Sequence, residues 1–308
     1  MKKLRASVVG AGAFGRIHAR KCAEDARVQF VGVYDPDDER AQQLADTHGA
    51  TSFANLEALL AAADILTIAS PPSVHGKAAL AALNAGKHLL IEKPLATDVE
   101  TGAELVRLAH EKKLTLACGH QERLVFDAIG LLSAPETPTR IESVREGPWT
   151  GRSADVSVTL DLMVHDLDLA LMLMKAKPTG ILATARSEHG RTADRIEARL
   201  AFAPRAEAVF ISSRIASTRR RFMRAVYPSG EVNIDFLART FENTTNFPLN
   251  PNFAETRTGS DPLGANVAQF IDAVLGVAPR PVVTGEEALA VLELALDVDR
   301  ASGLPSLS

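Results

Sequence analysis

The sequence predicts an α/β chain in two parts. Residues 1–121 read as a doubly wound parallel sheet, and residues 122–308 as an α+β region with an open, mainly antiparallel sheet. Three observations carry this. Short β-branched apolar runs alternate with helical spacings from the N-terminus to about His120. A glycine-rich turn separates the first such run from the first helix. From about Glu122 the alternation gives way to runs in which apolar and polar residues alternate singly. A chain of 308 residues also fits two cores better than one.

"RASVVGAG" is a strand closing on glycines, "FGRIHARKCAED" has helical spacing, and "VQFVGVYD" is a strand ending on an acid. "DERAQQLADTHG" is a helix stopped by Gly49, "LEALLAAA" a second helix, and "DILTIAS" a strand. "PPSVHGKAALAALNAG" is a helix ended by Gly86, and "KHLLIEKP" a strand. "DVETGAELVRLAHEKK" is a helix capped by Asp98, and "LTLACGH" a strand. Right-handed crossovers make this a doubly wound sheet. In the second part a helix is expected near 124–132. "RIESVREG", "GILATARSE", "RIEARLAF", "EAVFISSRIA", "RRFMRAVYP" and "EVNIDFL" follow as strands. "DPLGANVAQFIDAVLG" and "TGEEALAVLELALDVDRASG" read as closing helices, the second capped by Thr284 with Glu287 three positions on.

Composition narrows the function classes. The chain is 46% hydrophobic and 23% charged with a net charge of −4, so it lacks the basic footprint of a nucleic-acid or anionic-membrane binder. Cys22 and Cys118 do not make a disulfide framework and suit a reducing compartment. "MKKLRASVVGAGAFG" starts like a signal peptide, but glycines break its apolar run, and no run approaches the roughly 18 residues of a membrane span. A cytoplasmic protein is expected, with no metal.

The first turn reads Gly10-Ala11-Gly12-Ala13-Phe14-Gly15, between a strand and a helix, and Asp35 ends the next strand. That is the dinucleotide fingerprint in its full context. Gly10 permits the tight turn, Gly12 lets the backbone approach a pyrophosphate, and Gly15 lets helix and strand pack closely. The helix N-terminus offers free N–H groups to the phosphates. Asp35 can accept from ribose hydroxyls and would repel a 2′-phosphate. Pro36, Asp37 and Asp38 follow it with no arginine, so NAD is expected rather than NADP. Ligands of such sheets lie beyond the carboxyl ends of the strands, where "SPPSVH" (Ser70 to His75) and "EKP" (Glu92 to Pro94) fall.

"LDLMVHDLDLALML", residues 160–173, sets three acids and a histidine among leucines and methionines. Buried groups of that kind need partners or a function. A helix over 159–174 would put Asp161, His165 and Asp168 on one face and turn Asp166 elsewhere. Asp161 could then hold the His165 imidazole and poise it as a base, or the group could be a self-satisfied polar cluster. Lys93 at a strand end favours the first reading, because an ammonium beside the reacting oxygen eases alkoxide development. The chemistry implied is oxidation of a secondary alcohol, or its reverse. In "TRRRFMR" (218–224), Arg219 and Arg221 would share one strand face and Arg220 the other. A solvated or subunit-facing surface is expected there, with a phosphate-bearing substrate as the sharper alternative.

"GAGAFGRIHA", "SPPSVHGKAALAALNAGKHLLIEKPLATD", "GHQER" and "DLMVHDLD", in that order, resemble the Gfo/Idh/MocA oxidoreductases. The resemblance implies a Rossmann domain followed by an open-sheet domain used for homodimer or homotetramer contacts. It implies that Lys93 matches the family's EKP lysine and that Asp161 and His165 match its Asp-x-x-x-His pair. Ser70, Pro71, His75 and Glu92 would lie against the nicotinamide ribose, and Gln121 and Arg123 would face cofactor and substrate. Lys93, Arg123, Asp161 and His165 would then contact the substrate, a sugar or sugar nucleotide. "GRSADVSVTLDLMVHDLDL" lacks the glycine-rich lead-in common in the family and is similar to UDP-N-acetylglucosamine 3-dehydrogenases, whose keto product feeds lipid A precursors. An inositol or other free-polyol dehydrogenase is the alternative. A non-catalytic NAD-binding regulator on the same fold is a third reading.

Overall fold

The computed structural model describes residues 3–307. Its chain opens with β1 (Leu4–Val9), α1 (Ala13–Glu24), β2 (Val28–Tyr34), α2 (Asp38–Thr47), β3 (Thr51–Ser52) and α3 (Leu56–Ala62). It continues with β4 (Ile65–Ile68), α4 (Pro72–Asn84), β5 (His88–Ile91), α5 (Val99–Glu111) and β6 (Leu116–Cys118). The six strands form one parallel sheet in the order β3-β2-β1-β4-β5-β6. The strand order therefore reverses between β1 and β4, the switch point where such sheets bind ligands. The alternation of apolar runs and helical spacings anticipated this sheet, apart from the two-residue β3, which is too short to carry a pattern.

The local signals also act as expected. Gly49 and Gly86 follow α2 and α4 with φ of +60° and +73°, a region that glycine enters at no steric cost. The Asp98 carboxylate accepts from Thr101 N–H at 2.7 Å, capping α5.

The second part runs through α6 (Glu122–Ile129), β7 (Arg140–Glu146), a π-helical turn (Thr159–Met163) and α7 (Val164–Met174). The strands β8 (Gly180–Arg186), β9 (Arg195–Phe202), β10 (Ala206–Ser213), β11 (Arg220–Tyr227), β12 (Gly230–Asp235) and β13 (Thr240–Asn243) follow. Three helices close the chain: α8 (Arg257–Ser260), α9 (Pro262–Val274) and α10 (Gly285–Ser302). The seven strands order as β13-β12-β11-β7-β10-β9-β8. Every pairing is antiparallel except β7 with β10. In β7, β9 and β11 buried residues alternate with more accessible ones, so one face of this sheet is covered and the other is more open.

The chain divides into two compact units, residues 1–120 with 263–289, and residues 121–262 with 290–308. In the first unit α9 returns to the parallel sheet, where Val267, Phe270 and Ile271 pack with Ala6, Ile65 and Leu90. A second cluster holds Val8, Val33, Ala19 and Leu44. Thr284 and Glu287 form a reciprocal capping box at the start of α10, with Glu287 N–H to Thr284 Oγ1 at 3.3 Å and Thr284 N–H to Glu287 Oε2 at 3.1 Å. Cys22 and Cys118 are buried and in no disulfide among the described residues. No helix among the described residues is long and apolar enough to cross a membrane.

Candidate active site

In the first unit, every strand end named by the sequence lies on the carboxyl edge of the parallel sheet. Gly10 has φ +101°, and a Cβ there would come within 2.8 Å of the Ala69 and Ser70 backbone, so the β1 turn sits directly on the β4 turn. A Cβ on Gly15 would stand 1.8 Å from the Gly10 carbonyl oxygen, which is why only glycine lets α1 approach β1. Gly12 differs: a Cβ there would meet nothing within 4 Å. The N-terminus of α1 has no side-chain cap and no acid in its first turn, which suits an anion placed at the helix start. Ser70 Oγ is buried with no hydrogen-bond partner among the described residues. An uncapped helix start behind a glycine with open space around it, beside an orphaned hydroxyl, fits a dinucleotide.

The contrast between the glycines is testable. Gly12→Ala should fold with an unchanged melting temperature and bind NAD at least tenfold more weakly in a fluorescence titration. Gly15→Ala should lose the fold instead. Equal destabilisation by both would contradict the geometry.

Asp35 Oδ2 accepts from Ala11 N–H at 2.7 Å and Oδ1 from Asp37 N–H at 2.9 Å, which locks the carboxylate at the β2 end. No arginine follows Asp35 in the next three residues, yet one returns to it in space. Arg40, on the first turn of α2, lies 3.5 Å from Asp35 and 2.7 Å from Asp37. The helical turn brings it back, whereas reading the three residues after Asp35 in line could not reveal it. Two carboxylates hold that guanidinium in place.

The turns after β4 and β5 are fastened by two histidines. His75 is buried. Its ring nitrogens contact the carbonyl oxygens of Ser70 and, at 3.2 Å, Pro94, so it joins the SPP turn to the EKP turn. Burial pushes its pKa down, and the contacts to the Ser70 and Pro94 carbonyls oppose that shift. Pro71 is the N-cap residue of α4. Glu92 is buried and meets His18 Nε2 at 2.7 Å. Although burial opposes ionisation, the hydrogen bond and charge of His18 carry the Glu92 pKa below the usual carboxylate value. A Cβ on Gly119 would stand 2.8 Å from Glu92 Oε2, so a glycine is needed to seat the carboxylate. The sequence motifs omit a role for His18. Its place one helical turn beyond Gly15 was the available signal. Lys93, next in chain, is half-buried and joined to Pro94 by a cis peptide.

In the second unit the helix over 159–174 is not uniform. Residues Thr159–Met163 form a π turn, and α7 begins at Val164. Wider turns of this kind often mark functional sites. The change of register alters the expected face. Asp161 and His165 are half-buried, whereas Asp168 is fully enclosed with 0% exposure. Asp168 takes a two-pronged bond from Arg123, with Nε at 2.9 Å from Oδ2, and Arg123 is itself only 3% exposed. Asp166 is likewise held by Arg145, at 2.9 and 3.0 Å, and Arg145 reaches Glu122 at 3.0 Å. Asp166 and Asp168 are thus enclosed against arginines, whereas Asp161 and His165 are half-buried. Gln121 takes the N-cap position of α6, ahead of Glu122 and Arg123.

The foot of the π turn rests on another buried acid. Ser157 Oγ donates to Asp299 Oδ2 at 2.6 Å and accepts from Leu160 N–H at 3.3 Å. Burial raises the Asp299 pKa, with the Ser157 hydrogen bond opposing it. A raised folded-state pKa gives stability that is full below the unfolded value and is lost as pH rises through the folded one. Asp299→Asn should therefore flatten the fall in melting temperature from acid towards neutral pH. Parallel melting profiles for the two proteins would contradict this.

Residues 4–120 match the oxidoreductase family with an NAD-binding Rossmann fold, and residues 134–232 match the GFO/IDH/MocA C-terminal domain. The chain is 34% identical over 303 residues to the UDP-N-acetylglucosamine 3-dehydrogenase of Acidithiobacillus ferrooxidans, covering 94% of this chain and 95% of that protein. The solved structure of that enzyme superposes with a TM-score of 0.87 over 98% of both chains. An inositol 2-dehydrogenase of Rhizobium meliloti is 27% identical over 59% of this chain and 58% of its own. With the glycine turn, the Asp35 carboxylate and the full-length likeness all in agreement, this chain belongs to the Gfo/Idh/MocA family of NAD-binding oxidoreductases.

Proposed function

We propose that the chain oxidises a secondary hydroxyl of a sugar substrate, and that the substrate is UDP-N-acetylglucosamine, oxidised at its 3-hydroxyl. The observation that carries this reading is the likeness to the Acidithiobacillus enzyme along almost the whole of both chains. The keto sugar nucleotide formed would suit transamination on the way to lipid A precursors. The partial likeness to an inositol dehydrogenase favours a free polyol as the second reading.

Bound NAD supplies the hydride acceptor, held by the Gly10–Gly15 turn with Asp35 and Ser70. His165 takes the proton of the hydroxyl, and its half-buried position leaves it able to exchange that proton with solvent. Asp161, one turn earlier, orients the imidazole and stabilises its protonated form. Lys93 donates a hydrogen bond to the same oxygen as negative charge develops. The Glu92–His18 bond and the His75 staple fix the turn that carries Lys93. The open face of the second sheet is proposed as the homodimer or homotetramer surface. On it Phe222 and Val226 stand among ion pairs of Arg140, Glu142, Arg224 and Glu231.

The test is NADH absorbance with NAD and a panel of UDP-N-acetylglucosamine, other sugar nucleotides and inositols, coupled to a transaminase to draw off ketone. A signal with UDP-N-acetylglucosamine is expected. A signal with inositol alone would select the second reading, and flat traces throughout would overturn both.

A further inference from the structure

The basic cluster 218–224 is sorted by the sheet into two kinds of arginine. Arg220 lies opposite Glu146, and Arg224 is paired with Glu231 and Glu142, on the open face. Arg221 is on the other face, with buried Met223 and Ala225, and stands directly across from Arg145 in the antiparallel ladder. Like charges placed opposite one another are destabilising unless something offsets them. For Arg145 the offset is present, since Asp166 and Glu122 both bond to it. Those two acids are thereby committed. Among the described residues, neither the Arg221 nor the Arg219 guanidinium has a hydrogen bond or ion pair, and both side chains are exposed. Arg219 lies at the same end of the sheet, its Cγ 3.5 Å from where a Cβ on Gly147 would be. Desolvation beside the covered face, followed by the Arg145 charge, lowers the Arg221 pKa against the opposing charges of Glu122 and Asp166.

The position is informative. Arg145 holds Asp166, the residue after His165, so the two unspent guanidinium groups stand at the end of the sheet that supports the proposed base. Three guanidinium groups against two carboxylates leave this end one positive charge in excess. A planar fork of donors suits phosphate oxygens better than any other common anion.

We propose that Arg219 and Arg221 form the subsite that receives the phosphate oxygens of the substrate, the diphosphate of a sugar nucleotide in first place. This rests on the dehydrogenase reading above and narrows it, since a free polyol would leave both arginines without a partner. A sugar monophosphate shares the same chemistry, and the experiment separates the two sources.

Trp149, the only tryptophan, lies two residues beyond Gly147, stacked on His189 at 4.2 Å and under the Arg214 guanidinium at 5.0 Å. Its emission gives a binding signal in the second unit that does not depend on turnover, with calorimetry as a check. The full-length protein is titrated with UDP, UDP-N-acetylglucosamine, glucose 6-phosphate and myo-inositol. UDP is expected to bind, more weakly as salt rises. Its Kd should rise about 30-fold in Arg221→Ala and further when Arg219→Ala is added, with partial recovery in Arg221→Lys. Unchanged NAD affinity and melting temperature verify the fold of each variant. Glucose 6-phosphate binding through the same arginines without UDP binding would assign the site to a sugar phosphate. A UDP Kd unchanged in both variants would overturn the proposal, as would a wild type that binds neither phosphate. If that same protein still made NADH from a polyol, the dehydrogenase reading would stand alone. Phosphate binding through the arginines with no NADH from any substrate would leave the subsite and remove the dehydrogenase reading.

Discussion

His165→Ala and Lys93→Ala should each lower kcat by two to four orders of magnitude while NAD binding is kept. The size follows from the roles. A positioned general base contributes about 10²–10⁴-fold, and one donor to a developing oxyanion about 10²–10³-fold. Neither side chain is enclosed, so its removal opens no deep cavity and should leave the fold intact. The two variants should also differ in pH dependence. Loss of His165 removes the acid limb of the kcat profile, because a protonated imidazole cannot accept the substrate proton. Loss of Lys93 lowers the whole profile and leaves that limb in place. Stopped-flow NADH formation over pH 5–9, with NAD affinity measured separately, checks both. A near-wild-type rate in either variant would remove the mechanism.

Arg123→Ala should instead strike the fold, lowering stability by about 3–5 kcal/mol. Arg123 and Asp168 are 3% and 0% exposed and joined by a two-pronged bond, so removing the cation leaves a carboxylate enclosed in α7 without compensation. Against a total of about 5–15 kcal/mol, such a loss should shift the urea midpoint far enough to unfold part of the population at ordinary temperature. The paired replacement Arg123→Met with Asp168→Leu removes both charges and should recover most of the loss. The same experiment decides what Arg123 is for. A variant of normal stability with only a raised substrate KM would return it to the substrate-contacting role that the family resemblance implies.

Much of the first unit was legible because its signals are local. Strand and helix periods, the glycines of the first turn, Gly49 and Gly86 after their helices, and the Asp98 cap each act within a few residues. The Thr284–Glu287 capping box is of the same kind. The alternation in "RIEARLAF" and "RRFMRAVY" likewise predicted a sheet with one covered face.

What escaped had no local signature. The sequence alone determined most of the strands and helices, though not β3, β13 or α8, and it marked the first turn as one built to receive a dinucleotide and named the candidates for proton transfer. Only the tertiary structure decided how the polar groups were shared out. Arg123 meets Asp168 across 45 residues, Arg145 meets Asp166 across 21, and His18 meets Glu92 across 74. The return of α9 to the parallel sheet, the parallel pairing of β7 with β10 and the π turn before His165 were settled in the same way. The physical reason is that hydrophobic period and capping depend on neighbours in the chain. The fate of a buried charge depends on whichever opposite charge the completed fold brings within hydrogen-bonding distance.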